Sequence, residues 1–507
     1  MSHKYKKISY LALCGLLALA SCTKKLNTNT TDPNGLDYAQ ITAPQVFAQA
    51  LLSTVQNKIG INISTATDNY DFATNWMGYL ARNAGWAASG SQLQVETFTL
   101  SNSFADGVWQ SLYHNIYDYD YVVAKSTTSG SILPGASRVM RDMVYQDLVD
   151  QFGNIPYTQA AQDTAILNPA YDSATAIYPA LIIDLDTAIN EIAASSSTSD
   201  NTSDVMFGGN KTYWLEFANT IKLRILLRQI PNTSNASYVQ AQINAIVTQG
   251  YGFMGPGKDA TIQPGFKDAV TQQSPFWADY GFQPGWVAGG NNTPYQNYNF
   301  FCANNEMLNF LDSTGDPRMA LFYDTTVDGG YAGEPLGNDG VNSVTSPIGY
   351  GVLQVPTTPA ILFSAAQSLF MQSEAAYRGL LPGNYQTFFK EGVEESFRYL
   401  TSTTAAADAF IASSTNGMVN LTYSTNILQT IMTQKWVAEC EEDGLEAWSD
   451  FRRTGYPIIL VPSQAALGQA IPVRLLYPET EYTQNPKNVE AQNQLATDIY
   501  TPIFWAQ

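Results

Sequence analysis

Apolar residues recur at three- and four-residue intervals in several well-separated stretches of the chain, and each stretch runs into residues that stop a helix. From Ser137, the residues Met140, Met143, Val144, Leu148 and Val149 share one face of a helix expected to end near Phe152-Gly153. Trp214, Phe217, Ile221 and Ile225 form a second stripe that starts at Tyr213 and closes before Pro231. A third helix is expected over about residues 361–378, with Gly379 and Pro382 behind it, and a fourth over about 427–442, stopping at Gly444. None is long enough for a coiled coil. No clear series of period-two strands appears, and strands do not alternate with helices. The pattern predicts a mainly α fold: one helical body with elaborated loops.

The start of the chain follows a different rule. Lys4, Lys6 and Lys7 precede an apolar run over residues 8–20, and small residues lead into Leu19-Ala20-Ser21-Cys22. As a helix that run would rise only about 20 Å, short of the roughly 30 Å hydrocarbon core, so it does not read as a membrane span. The alternative is an ordinary secretory signal with an incidental cysteine. Ala20 and Ser21 favour a lipoprotein signal over residues 1–21, because a lipoprotein peptidase needs small side chains there. The mature chain then begins at an acylated Cys22 and is tethered to a membrane. Residues 22–36, rich in Asn and Thr and ending in the turn Asp32-Pro33-Asn34-Gly35, read as a flexible tether. Residues 37–507 form the body. The Ser, Thr and Asp run over 193–204 reads as an exposed loop between helices.

Composition narrows the function. The full chain of 507 residues has 25 basic and 44 acidic residues, and the proposed signal removes three lysines and no acids. Nucleic acid and anionic lipid are poor partners for such a body. Abundant amide and hydroxyl side chains beside 30 Tyr and 9 Trp suit neutral polar ligands instead. Residues 250–304 and 324–359 are rich in Gly, Pro and Asn, and loops of that length usually carry function.

After the signal, Cys302 and Cys440 remain; a disulfide and two separate buried thiols are both open. His114 is the one histidine left, so no two-histidine zinc motif exists. Its neighbours Trp109, Tyr113 and Tyr117 suggest a packed aromatic helix face. Asp68, Asp71, Asp118 and Asp120 lack the spacing of a calcium loop. No metal or cofactor is expected.

The densest cluster spans residues 434–457, where Glu446, Asp450, Arg452 and Arg453 can pair locally while Trp436 and Trp448 anchor packing. With it come Leu148-Val149-Asp150-Gln151-Phe152-Gly153-Asn154-Ile155-Pro156-Tyr157, the helix Phe217-Ala218-Asn219-Thr220-Ile221-Lys222-Leu223-Arg224, Asp316-Pro317-Arg318, Gln372-Ser373-Glu374-Ala375-Ala376-Tyr377-Arg378-Gly379 and Arg474-Leu475-Leu476-Tyr477-Pro478. In these motifs the chain resembles the SusD/RagB family of nutrient-binding outer-membrane lipoproteins of Bacteroidetes. Asp32-Pro33-Asn34 and Asp316-Pro317-Arg318 are similar to the second SusD-like subgroup. The resemblance covers essentially the whole mature chain.

It implies a single SusD-like domain of tetratricopeptide-like helix pairs packed against an irregular, loop-rich half. It also implies a cell-surface lid on a TonB-dependent SusC-type transporter, holding an oligosaccharide or a peptide for import. Surface-exposed relatives often carry acidic residues after the acylated cysteine; Lys24-Lys25 depart from that and leave the membrane face open.

Flat aromatic faces cover the C–H side of a pyranose while amides, hydroxyls and guanidiniums reach its hydroxyls. Two regions offer that mixture, and in the resembled family comparable regions form the binding arc. The first gives Trp76, Tyr79, Arg82 and Trp86; the second gives Trp277, Trp286 and Tyr295. A helix face in the core is the competing reading for Trp76 and Tyr79. The expected function is therefore non-catalytic oligosaccharide capture. The alternatives are a RagB-type peptide-binding lipoprotein, a surface glycoside hydrolase using carboxylates among Glu439, Glu441, Glu442 and Asp443, and a structural adaptor for other lipoproteins.

Overall fold

The Met140 stripe belongs to a helix over Leu133–Phe152, started by Pro134 in its first turn and stopped by Gly153 at φ 81°. It packs between Asp106–Lys125 and Ala174–Ala194, and the latter packs on Lys211–Arg228. A Cβ on Gly135 would lie 2.8 Å from the Ala188 carbonyl oxygen, so this glycine is what lets two of these helices approach so closely. A second group joins Ala365–Tyr377 to Tyr385–Tyr399, which carries Thr404–Ser413 and Ile427–Ala438. The structure, a computed structural model, describes residues 41–59, 71–162, 165–340 and 344–506. The segment 1–21, Cys22, the tether 22–36 and Asp68 lie outside the described residues.

Residues 43–507 make one compact, mainly helical unit, with two-stranded ladders as its only sheets among the described residues. One continuous core runs through most of it, and a smaller cluster around Phe370, Phe389, Phe397 and Phe410 fills the second helix group. No helix among the described residues is long and apolar enough to cross a membrane.

Three local expectations are corrected. The third helix begins at Ala365, because Ala360–Phe363 is a strand paired antiparallel with Ala260–Ile262 and buried at every position. Ser364 then caps the helix by accepting from the Gln367 N–H. The fourth helix ends at Ala438, since Asp443 caps a new helix, Gly444–Thr454, by accepting from the Glu446 N–H. His114 faces solvent on the Asp106–Lys125 helix rather than packing among its aromatic neighbours. Cys302 and Cys440 are separate buried thiols.

The 434–457 cluster pairs far beyond its own helix. Lys435 Nζ reaches Glu446 at 2.7 Å and Asp450 at 2.5 Å, and Arg228 pairs with Glu446 and with Asp150. Arg453 reaches Glu374, and the Arg452 guanidinium lies 3.5 Å from the centre of the Trp448 ring. This network ties the two helix groups together through buried, mutually compensated charges.

Candidate functional site

One ladder brings the two aromatic regions together. Leu80–Arg82 pairs antiparallel with Phe301–Ala303, Leu80 opposite Ala303 and Arg82 opposite Phe301. The Asn83 N–H then donates to the Phe300 carbonyl at 2.8 Å, and Asn83 Nδ2 donates to Thr345 Oγ1 at 2.9 Å. The turn after residue 82 therefore sits against the Gln296–Phe300 helix and the 324–359 loop.

Trp86 ends up on that surface, 40% exposed. Its indole N–H donates to the Asn299 carbonyl at 3.0 Å, and its ring stands 5.8 Å from Phe300. Those contacts fix the ring while leaving part of it open.

Trp286, partly buried, and Tyr350, exposed, form a second ring group. The loop carrying Trp286 is held by Asp268 Oδ2, which accepts from the N–H groups of Gly285 and Trp286 at 2.9 and 3.1 Å. Asn292 closes the loop by accepting from the Val287 N–H. Tyr350, 40% exposed, lies 6.2 Å from Trp286 and stacks at 6.3 Å on Phe282, which also packs on Tyr298 at 4.7 Å. Tyr295 is half-buried and donates its hydroxyl to Gln273 Oε1 at 2.8 Å. Tyr298 and Phe300 sit two residues apart on one short helix, so this helix links the Trp286 and Trp86 groups.

The other expected ligand residues lie underneath. Trp76 is buried against Phe72, Phe98 and Trp448, with its indole N–H on the Val95 carbonyl. Tyr79 stacks on Trp436 and donates to the Trp436 carbonyl at 2.6 Å. Arg82 is buried in a two-pronged pair with Glu96 at 2.8 and 3.0 Å. Trp277 is 1% exposed; its N–H donates to the Phe282 carbonyl, and the Trp286 ring meets it edge-on at 5.1 Å. Burial takes these four out of direct contact with a surface ligand; Arg82, through the Trp86 carbonyl, and Trp277, through the Trp286 ring, support the rings above them.

Tyr298 closes the second aromatic region of the sequence, whereas Tyr350 was not singled out from it. The signal for Tyr350 is the triplet Gly349-Tyr350-Gly351. A Cβ at Gly349 would fall 2.6 Å from the Leu321 carbonyl oxygen, and one at Gly351 would fall 2.6 Å from Leu321 Cβ. Both glycines are needed for the close approach that presents the tyrosine ring.

Carboxylates surround these rings. Burial and the nearby Asp324 both raise the Tyr350 and Tyr298 phenols. Burial pushes Asp279 up to about 6, against the pull of its bond from Asn297. The acids that a glycoside hydrolase would use lie elsewhere, past the C-terminal end of the Ile427–Ala438 helix. Glu439 is 1% exposed, Lys58 pairs with Asp443 at 3.1 Å, and burial pushes Glu442 up to about 8. Glu441, Glu442 and Asp443 line a pocket of about 70 Å³ with Asp147, which burial raises to about 7. Glu439, Glu446 and Asp450 come within metal-ligand reach of one another, and Lys435 Nζ bridges all three.

Residues 38–478 match the profile of a SusD-like family described as starch-binding and associating with the outer membrane. No curated relative matches the chain. Among solved structures, a SusD/RagB family protein from Bacteroides thetaiotaomicron superposes with a TM-score of 0.74 at 19% identity, covering 92% of this chain and 99% of its own. A chitin-binding SusD homologue from Flavobacterium johnsoniae gives 0.69 at 20% identity over 90% and 98%. A second Bacteroides thetaiotaomicron protein, SusD-like, gives 0.68 at 23% over 90% and 98%. The structural likenesses establish the fold, and the family match extends over most of the chain: it belongs to the SusD-like family.

Proposed function

We propose that this SusD-like chain is a non-catalytic nutrient-binding lipoprotein, anchored by acyl chains on Cys22 at the outer membrane, on its cell-surface side. In this reading it captures oligosaccharides and serves as the lid of a TonB-dependent SusC-type transporter. The ligand lies across Trp86, Trp286, Tyr295, Tyr298 and Tyr350. The observation that carries the reading is the pairing of partly buried Trp286 with exposed Tyr350, locked from below by Trp277, Phe282 and Asp268. Rings held in place before the ligand arrives lose little freedom on binding, and their flat faces match the C–H side of a pyranose. Exposed Asn299 and Asn297, whose Nδ2 donates to Asp279, supply nearby amide groups. The chitin-binding homologue with the same fold gives the proposal a polysaccharide precedent.

The test is calorimetric titration of the detergent-extracted mature lipoprotein with maltohexaose, cellohexaose, xylohexaose and hexa-N-acetylchitohexaose. Saturable binding to at least one, with no shortening of the sugar, is expected. Trp286→Ala and Tyr350→Ala should each weaken it at least tenfold. If none of the four binds, or if both variants bind like the parent, oligosaccharide capture at this surface is the wrong reading.

A further inference from the structure

Resting on that reading of the ring surface, we infer that the surface takes uncharged or amine-bearing sugar oligomers and rejects acidic ones. Each ring group has a carboxylate beside it. Exposed Asp268 grips the Trp286 backbone, and Asp324 acts on both Tyr298 and Tyr350. Under Trp86, Arg82 donates to the Trp86 carbonyl and also reaches Asp339 at 3.2 Å; the Asp339 side chain is 86% exposed. Asp279 holds Asn297, between Tyr295 and Tyr298.

Cations that could answer a ligand carboxylate are committed or few. Over residues 264–360 the basic residues are Lys267 and Arg318, against Asp268, Asp279, Glu306, Asp312, Asp316, Asp324, Asp328, Glu334 and Asp339. Arg318 is fully buried in a fork with Asp316 at 2.6 Å, and Arg82 is spent on Glu96. Lys267 is exposed, but it sits directly beside Asp268. A uronate or sulfate would find no open guanidinium fork here and would meet like charge at every ring. An ammonium would instead gain from the carboxylates and from the faces of Trp86 and Trp286. Because Asp268 and Asp339 are exposed, the discrimination depends on salt and fades when the Debye length shrinks toward a few ångströms.

The test uses six-unit probes that share a backbone and differ in charge. They are cellohexaose with its C6-oxidised hexaglucuronate, maltohexaose with its C6-oxidised form, and hexa-N-acetylchitohexaose with de-N-acetylated glucosamine hexamer. Each is titrated into the mature lipoprotein at pH 6 in 20 and 300 mM NaCl, with hexalysine as a non-sugar cation. For the backbone that binds, the uronate should be about tenfold or more weaker than its neutral parent at low salt. The amine form should bind at least as tightly as the N-acetylated one, and both gaps should narrow at high salt. Asp324→Asn combined with Asp339→Asn should shrink the uronate penalty at least threefold.

A uronate binding as well as its parent at low salt, or a penalty untouched by the double variant, overturns the charge inference and leaves sugar capture standing. If no sugar binds, the reading beneath it fails as well. Binding of hexalysine alone would point that surface to basic peptides.

Discussion

Arg453 grips Glu374 through both terminal guanidinium nitrogens, at 2.6 and 2.7 Å, and both side chains are sealed from solvent. The pair locks the Gly444–Thr454 helix to the Ala365–Tyr377 helix. Two residues that read as parts of separate motifs are one buried contact, which explains why the charged motif near Trp448 is a matter of stability.

Removing one partner strands the other. Arg453→Met should destabilise the mature protein by about 3–5 kcal/mol, read as a lower urea midpoint. The loss has a pH signature. Burial alone would raise the Glu374 carboxyl, yet Arg453 and Arg378 overcome it and hold it at about 2. A depressed carboxyl contributes stability above its unfolded value near 4.3 and loses it as pH falls through the folded value. The parent should therefore hold its fold further into acid than Arg453→Met does. Identical acid midpoints in an acid titration followed by circular dichroism would contradict this role.

Glu442 tilts the curve the other way. Burial raises its carboxyl to about 8, so the folded state holds a proton that the unfolded chain releases near 4.3. Stability from this group is full below about 4 and drains as pH rises through about 8. Asp147, at about 7 across the same pocket, adds to the same slope. Glu442→Gln keeps the shape and removes the titration. Its melting temperature should match the parent near pH 4 and exceed it by several degrees near pH 9; parallel curves over that range would mean that Glu442 is not the group responsible.

Trp277 and Trp286 touch edge-on, and their substitutions should separate support from contact. Trp277→Ala opens a cavity under the loop and should cost about 3–5 kcal/mol in urea unfolding. Trp286→Ala, at a partly buried ring, should cost less, about 1–2 kcal/mol, and act mainly on hexasaccharide affinity. The reverse pattern would place the ligand contact on the wrong tryptophan.

Local pattern carried the helices well, because an apolar stripe, a cap and a stop all lie within one stretch of chain. It failed at residues 360–363, where pairing with a strand about a hundred residues earlier overrides a sequence that also fits a helix. The ring surface was half legible for the same reason. Trp86, Trp286 and Tyr295 sit among Gly, Pro and Asn, which are poor core formers. Trp76, Tyr79, Arg82 and Trp277 share similar neighbourhoods in sequence, but Tyr79 is covered by Trp436 and Trp76 by Trp448, partners hundreds of residues away. Tyr350 needs Phe282 and Trp286 beside it before its exposure has any meaning.

The anchor should be separable from the site. The full chain has 44 acids against 25 bases, so anionic lipid headgroups repel it, and no described helix is long and apolar enough to cross a bilayer. On the proposed reading, acyl chains on Cys22 hold the protein to the membrane. Cys22→Ser should move the protein from the detergent-extracted membrane fraction to the soluble fraction while its hexasaccharide affinity stays within about twofold, because every proposed contact ring lies in the unit over residues 43–507. A Cys22→Ser protein that stays with membranes after a high-salt wash would show that something other than the lipid holds it. Protease digestion of intact cells carrying the parent chain then reads the membrane face. Cleavage of the body without lysis is the outcome expected for a surface lid, and full protection would place the Lys24-Lys25 sequence, and the body behind it, on the periplasmic side.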